Sequence, residues 1–312
     1  MIDLAVIIVN YNTSALLRDC LHSVYASEGA FAYRVWVIDN ASPDDSVAMV
    51  RREFPQVELI ASTVNGGYPY ANNAGLRAAG FSPTPGASTD LPRYALLLNP
   101  DTVLPPTALR DSLAFMDAHP DCGIMGPRLV RQDGSLDLAC RRSFPDPEIS
   151  FYRIVGLSKL FPTSRRFGRY NLTYLSPDVQ TEVDSVVGAY MLVRGIAIQQ
   201  VGLLDETFFM YGEDLDWAFR IKAAGWRVWY VPGITVLHYK EAASQHSDKA
   251  RYEFYRAMEI FYHKHYAAST PWPLHVLILG GIQLRGRLAM AGRRWKAWRQ
   301  RRLTPQTSGG TA

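Results

Sequence analysis

Apolar runs of strand length recur through the first 125 residues, at Leu4–Val9, Arg34–Asp39, Val57–Ala61 and Tyr94–Leu98. They are rich in Val, Ile and Leu and do not alternate cleanly, the pattern of strands buried on both faces of a mostly parallel sheet. Helical patterns fill the intervals at Thr13–Tyr25, Pro43–Glu53, Tyr70–Ala79 and Pro105–Ala118. Thr13 or Ser14 can cap the first, and Ser42 before Pro43 gives the cap-then-proline order of a helix start. This succession predicts an α/β sandwich wound like a nucleotide-binding fold. Ser82–Asp90 is a polar Pro/Gly/Ser loop inserted before the fourth strand. Periodicity weakens from Arg128 to Thr181, which predicts a mobile loop with short helices. It returns at Val183–Val193, in a helix over Arg194–Val201, a helix over Leu215–Ala224 and a strand over Trp226–Val231. Ser247–His265 and Leu274–Arg302 read as two C-terminal helices.

The strand ends carry the chemistry, because ligands of open α/β sheets bind beyond the carboxyl ends of the strands. The four runs lead into Asn10-Tyr11-Asn12-Thr13, Asp39-Asn40-Ala41-Ser42, Asn65-Gly66-Gly67-Tyr68 and Asn99-Pro100-Asp101. Taken singly, each serves equally well as a turn or a helix cap. Together on one edge, they point to a polar ligand. A dinucleotide fold would place Gly-x-Gly-x-x-Gly after strand one, and neither that motif nor a Walker sequence is present. An anionic ligand without a glycine cradle needs another countercharge, which a divalent cation (Mg²⁺ or Mn²⁺) on Asp101 would supply.

A second cluster lies in Phe208–Arg220, where Glu213, Asp214 and Asp216 open a helix behind an aromatic run and a glycine. Three acids at a helix start can simply complement the helix dipole. Beside apolar surface they can also gain the raised pKa of a general base. Arg220 stands at i, i+4 from Asp216 and can pair with it. His238 follows a strand-like run and is either a structural histidine or a metal ligand.

Composition narrows the setting. The chain has 312 residues and a net charge of +4. Arg285, Arg287, Arg293, Arg294, Lys296, Arg299, Arg301 and Arg302 fall in the last predicted helix, with no acid among them. With its Leu, Ile and Trp residues, that helix is either a solvated extension or an interfacial helix on an anionic membrane surface. No nucleic-acid recognition module accompanies it, so no nucleic acid is expected as a partner. Three cysteines without metal-site spacing exclude a disulfide framework. The N-terminus reads as a strand and not a signal peptide. No apolar segment approaches the roughly 20 residues of a transmembrane helix. The expectation is a cytoplasmic protein, peripheral on the inner face of the plasma membrane.

Six segments together resemble glycosyltransferase family 2, closest to its bacterial rhamnosyltransferase-like branch. They are Val6–Asn12, Val37–Ser46, Asn65–Gly75, Leu96–Thr102, Val186–Gly195 and Leu203–Trp226, in the family's order. The resemblance implies a GT-A fold over residues 1–240, with a nucleotide-sugar half (1–125) and an acceptor half (126–240). A basic helical extension (241–303) and a disordered tail (304–312) would follow. It implies inverting transfer from a nucleoside-diphosphate sugar to a glycan or polyprenyl-diphosphate-linked saccharide. By the same resemblance Asn10, Asn12, Asp39, Asn65, Asn72, Asn73 and Asn99 surround the nucleotide sugar. Asp101 and His238 hold the metal, and Asp214 is the base with Glu213 and Asp216 in support. Gly188, Ala189, Tyr190 and Trp217 line the acceptor side. One departure is that Asn99 replaces the first acid of the family's Asp-x-Asp, which lends the metal no charge. Two other readings stay open: a sugar nucleotidyltransferase, whose Gly-rich basic loop after strand one is missing, and a non-catalytic sugar- or lipid-binding scaffold, which would not need Asp214.

Overall fold

Seven consecutive residues, LAVIIVN, form β1 (Leu4–Asn10) with every side chain buried. A strand can be apolar on both faces only if layers cover it on both sides, and β1 is the inner strand around which the first half is wound. In this computed structural model, which describes residues 2–82, 84, 91–240 and 248–303 (side chains of 291–303 excepted), β1 is flanked by β2 (Tyr33–Asp39) and β4 (Tyr94–Leu98), both parallel to it. β3 (Glu58–Ala61) adds to β2 in parallel. The helices between them are α1 (Ser14–Tyr25), α2 (Ser46–Glu53) and α3 (Tyr68–Ala78).

Beyond β4 the sheet becomes mixed. The short β5 (Thr102–Val103) and α4 (Ala108–Ala118) lead to β6 (Cys122–Val130), and the excursion that follows holds α5 (Pro147–Ile154) and α6 (Leu157–Leu160). The chain returns through β7 (Thr181–Glu182), β8 (Tyr190–Arg194), α7 (Gly195–Val201), α8 (Glu213–Ala223) and β9 (Arg227–His238). The order is β3-β2-β1-β4-β8-β6-β9-β5, with β7 on β9. β8 runs antiparallel to β4 and β6, whereas β6 and β9 are parallel. The fold is thus the expected α/β sandwich, with its parallel character concentrated in the first half.

Four local departures from the sequence reading have physical causes. β6 was not anticipated, because Gly123, Gly126 and Pro127 interrupt its apolar run and its register with β9 shifts twice. α2 begins at Ser46 and not at Pro43, since Ser42 is bound to Asn12 and Asp39 and caps nothing. α3 begins two residues early, at Tyr68, because Gly67 meets the Phe208–Phe209 run there. β9 continues past Val231 to His238, and that extension carries a predicted site residue into the sheet.

The chain divides into Met1–Ala242 and Ala243–Ala312. The second unit holds α9 (Asp248–His265) and α10 (Trp272–Leu303). Most of the Ser82–Asp90 loop and the 304–312 tail lie outside the described residues, as do the side chains of Trp295, Trp298 and the basic residues from Arg293 onward. No helix among the described residues is long and apolar enough to cross a membrane.

Candidate active site

The parallel strands deliver three loops to one edge, and hydrogen bonds knit two of them together. Asn10 and Asp39 are register partners at the ends of β1 and β2. Asn10 Nδ2 donates to Asp39 Oδ2 at 2.9 Å and to Ser42 Oγ at 3.2 Å, while its Oδ1 accepts from Thr13 Oγ1 at 2.7 Å. Asp39 Oδ1 accepts from the Ser42 amide at 2.9 Å. Asn10 is fully buried, and these bonds orient Asp39. Asn12 is exposed at φ +57°, and its amide donates to Ser42 Oγ at 2.8 Å.

The third loop is fixed by Asn40, whose Nδ2 donates to Asn65 Oδ1 at 3.0 Å and to the Gly67 carbonyl at 3.2 Å. Gly67 has φ +94°, and a Cβ there would stand 2.3 Å from the Phe209 carbonyl, so only glycine fits. The same carbonyl accepts from the Tyr68 amide at 2.7 Å. The NGGY turn and the run before α8 are thereby joined.

Asp101 follows β4, and β5 pairs antiparallel with β9 in a register that sets Thr102 opposite His238. That pairing brings His238 Nε2 to 3.3 Å from Asp101 Oδ1. His238 Nδ1 lies 3.0 Å from Asp137 Oδ2, and Lys240 Nζ donates to Asp137 Oδ1 at 2.7 Å. Burial opposes charge on the ring, but the bonds to Asp101 and Asp137 prevail and hold its pKa up, at about 9. Asp137 is itself kept well below the usual carboxylate range, against its burial, by His238 and Lys240. A carboxylate behind one imidazole nitrogen is how metal-bound histidines are oriented; here the other nitrogen rests on Asp101, and would have to give up its proton to ligate a cation. Among the described residues no group of three or more His, Cys, Asp or Glu side chains is arranged to hold a metal ion. Two protein ligands suit a hard cation that takes its remaining oxygens from substrate phosphates and water.

The second acid station is α8. Asp214 Oδ2 accepts from Arg142 Nη2 at 2.6 Å and from the Gly188 amide at 3.2 Å, and Oδ1 accepts from the Leu215 amide at 2.7 Å. A carboxylate has about four acceptor positions, so three donors orient it and one lone pair stays free for a hydroxyl. Glu213 is pushed up to about 8 by burial and by the neighbouring Asp214 charge. Its Oε2 has no hydrogen-bond partner among the described residues.

Tyr68 links the two stations. Its hydroxyl bonds Asn99 Oδ1 at 3.1 Å and the Gly188 carbonyl at 2.9 Å. Burial raises its pKa, and the charges of Glu213, Asp214 and Asp101 add to the effect. Acids more than a hundred residues apart in sequence therefore act on one phenol.

Several predicted residues have other duties. Asn73 is committed to the Leu204 carbonyl (2.9 Å), the Leu204 amide (3.0 Å) and Glu206 (2.8 Å), holding the 203–206 segment against α3. Asn72 Nδ2 bonds the Tyr68 carbonyl within its own helix. Asp216 is fully buried and pairs with Arg220 at 2.9 Å, at the anticipated i, i+4 spacing within α8. Trp217 is core, with Nε1 on the Gly202 carbonyl, and the buried Tyr190 bonds Ser112. Ala189 is buried and serves through its carbonyl, which takes the Asn99 amide. Gly188 is the member of the acceptor-side set whose amide donates to Asp214. Arg142 and Asp137 were missed; Asn40, Ser42 and Tyr68 were legible only as members of the polar strand ends.

A family model described as "Glycosyltransferase like family 2" matches residues 3–255. The chain is 28% identical over 288 residues to an N-acetylglucosaminyl-diphospho-decaprenol L-rhamnosyltransferase of Mycobacterium tuberculosis, covering 91% of this chain and 92% of that protein. It is 26% identical over 252 residues to the low-salt glycan biosynthesis hexosyltransferase Agl10 of Haloferax volcanii, 80% of this chain and 70% of that one. Among solved structures, the mannosyltransferase PcManGT of Pyrobaculum calidifontis, in complex with GDP-Man and Mn²⁺, superposes with a TM-score of 0.55 at 15% identity, covering 97% of this chain and 76% of that one. GalNAc-T7 with UDP, GalNAc and Mn²⁺ gives 0.57 at 14% identity, over 87% and 52%. At such identities the likeness is one of fold.

Proposed function

This chain belongs to the glycosyltransferase-like family 2 and has the GT-A fold, and from that premise we propose that it is an inverting enzyme transferring rhamnose or another hexose. The donor is a nucleoside-diphosphate sugar and the acceptor a hydroxyl of a polyprenyl-diphosphate-linked saccharide, in the assembly of a cell-surface polysaccharide. The observation that carries this reading is that the Tyr68 hydroxyl joins Asn99, two residues before Asp101, to Gly188, whose amide holds Asp214. Inversion by one in-line displacement needs two such stations, one at the departing diphosphate and one at the attacking hydroxyl. The similarity to a rhamnosyltransferase over most of both chains favours the sugar and the lipid-linked acceptor.

Asp39, oriented by Asn10 and Ser42, would accept hydrogen bonds from the base of the nucleotide. Asn99, with the hydroxyl of Tyr68 on its Oδ1, would position the donor. Asp101 and His238 would hold a divalent cation, Mg²⁺ or Mn²⁺, which when bound neutralises charge gathering on the leaving β-phosphate. The acceptor oxygen attacks the anomeric carbon as the bond to the diphosphate breaks, its electron pair leaving with the phosphate oxygen. The hydroxyl proton passes to the free lone pair of Asp214. Gly188, donating to Asp214 and accepting from Tyr68, keeps the two stations in register.

Transfer from radiolabelled deoxythymidine-diphosphate-rhamnose and uridine-diphosphate sugars to polyprenyl-diphosphate N-acetylglucosamine tests this reading, with the product's anomeric configuration read by NMR. Asp214→Asn should lower kcat by about 10²–10⁴-fold with donor affinity retained. Undiminished transfer by that variant, or a product of retained configuration, overturns the mechanism.

A further inference from the structure

Residues 144–169 leave the fold and rejoin it at adjacent points. The Ser143 amide donates to the Tyr170 carbonyl at 2.8 Å, and Arg141 clamps the carbonyls of Leu175 and Ser176 at 2.7 Å each. This excursion departs one residue after Arg142, the partner of Asp214, so it stands at the acceptor end of the site. It is a built element: Asp146 caps α5 through the Ile149 amide at 2.7 Å, and α5 packs on α6. Beneath the two helices the Phe167 ring lies 4.8 Å from Tyr152 and 5.7 Å from Phe161.

With that aromatic core formed, the excursion still presents Phe151 (56% exposed), Val155 (49%), Leu160 (69%) and Phe161 (47%) to solvent. Single exposed apolar residues are ordinary, but four within eleven residues of one small element form a patch that calls for a partner. The charges around it are mostly basic. Arg153, Lys159, Arg165 and Arg166 are exposed. The acids in the segment are Asp146 and Glu148, and both are engaged. Glu148 takes Arg166 at 3.0 Å and Tyr152 at 2.6 Å, and Asp146 takes the α5 N-terminus and Arg169. An apolar ridge with a cationic flank matches an interfacial element, in which aromatic and aliphatic side chains enter the headgroup boundary and basic ones meet anionic lipid.

We propose that the α5–α6 excursion is the surface through which this enzyme docks on an anionic lipid bilayer, with Phe151, Val155, Leu160 and Phe161 entering the interface and Lys159 and Arg165 on the headgroups. Docked there, the mouth beside Arg142 and Asp214 faces the membrane, where a lipid-linked acceptor presents its sugar. That consequence rests on the acceptor reading above; the bilayer contact itself does not.

The test is co-sedimentation of the full chain with phosphatidylglycerol–phosphatidylcholine vesicles and with pure phosphatidylcholine vesicles. Binding should require the anionic lipid. Phe151→Ser/Leu160→Ser/Phe161→Ser and, separately, Lys159→Glu/Arg165→Glu should each lower partitioning by about tenfold or more, with unchanged far-UV circular dichroism. Arg285→Glu/Arg287→Glu on α10 is the comparison and should change it less. Full binding by both excursion variants, or loss in the α10 variant alone, overturns the proposal. So does a concentration-dependent dimer that the serine variant dissolves while the wild type ignores vesicles. Transfer to a water-soluble short-chain acceptor separates the two readings. Variants that lose vesicle binding but keep this transfer support the docking surface, whereas a wild type that binds vesicles yet transfers nothing leaves the surface standing and removes the proposed activity.

Discussion

The two halves of the site are held by different forces. At the β1–β2 edge, Asn10, Asp39, Ser42, Asn40 and Asn65 form a network of mostly neutral hydrogen bonds between loops that each follow a parallel strand. On the β9–α8 side, the same task falls to charges taken out of water: Arg142 with Asp214, and His238 and Lys240 with Asp101 and Asp137. A neutral bond between loops contributes about 1 kcal/mol net. A buried ion pair adds little net stability, yet removing one partner costs about 3–5 kcal/mol because the other stays behind uncompensated. The first half should therefore tolerate substitution, and the second should fail sharply.

Arg142→Met puts that contrast under the greatest strain. It leaves Asp214 buried with two backbone donors and no countercharge, and should cost about 3–5 kcal/mol, roughly 2–4 °C of Tm per kcal/mol at this domain size. Adding Asp214→Asn should restore most of the loss, since the orphaned charge goes with it. Thermal melts of the wild type, both single variants and the double variant decide the matter. Additive losses would mean that the pair is not a coupled unit.

Next in size is Asp137→Asn. The substituted side chain can still meet His238, but it no longer carries the charge that orients the ring toward Asp101. Losses of 10–100-fold in metal affinity are usual for such partners, and Mn²⁺ titration followed by electron paramagnetic resonance should show one here, before any turnover is measured. Affinity equal to wild type would remove Asp137 from the metal site's support and leave Asp101 and His238 to act alone.

These charged pairs explain what the sequence could and could not disclose. β1, β2 and β4 were legible because strands covered on both faces must be apolar throughout, and the polar residues that end them stand out against that background. The Asp216–Arg220 pair was legible because helical spacing alone sets it. β6 was hidden by its glycines and proline. Arg142 lies 72 residues from Asp214, and Asp137 lies 101 from His238. No local period relates such positions; only the β5–β9 register and the return of the chain through β7 and β8 bring them together. The commitments of polar side chains were not legible from local pattern either. Asn72 and Asn73 sit in a motif that reads as ligand-binding, yet Asn73 faces the 203–206 segment once α3 is packed.

Glu213→Gln probes the charged half without breaking a pair. Glu213 is raised from 4.5 to about 8 by burial and by Asp214. Between those values the folded chain keeps a proton that the unfolded chain has released, so stability falls as pH rises across the window. The contribution is whole below pH 4.5 and gone above about 8. Glutamine resembles the protonated acid at every pH. Wild type and variant should melt together near pH 5, and the variant should melt several degrees higher at pH 8. Parallel curves at the two pH values would place the Glu213 proton elsewhere.

The smallest effect belongs to Ser42→Ala, and it measures the neutral half. Ser42 Oγ accepts from the Asn12 amide at 2.8 Å and from Asn10 at 3.2 Å, so its loss frees two donors. Asn12 is exposed and water can replace the hydroxyl there, while Asn10 keeps Asp39 as an acceptor. The net cost should be about 1 kcal/mol, or roughly 2–4 °C of Tm. The functional cost is more selective. The Ser42 amide still holds Asp39 Oδ1, but Asn10 loses one of the two acceptors that fix its tilt. Donor KM should therefore rise severalfold with kcat unchanged, because Asp39 is assigned to binding and takes no part in moving the proton. A fall in kcat as large as that expected for Asp214→Asn would show that the neutral edge shapes the transition state as well, and the division between the two halves would have to be abandoned.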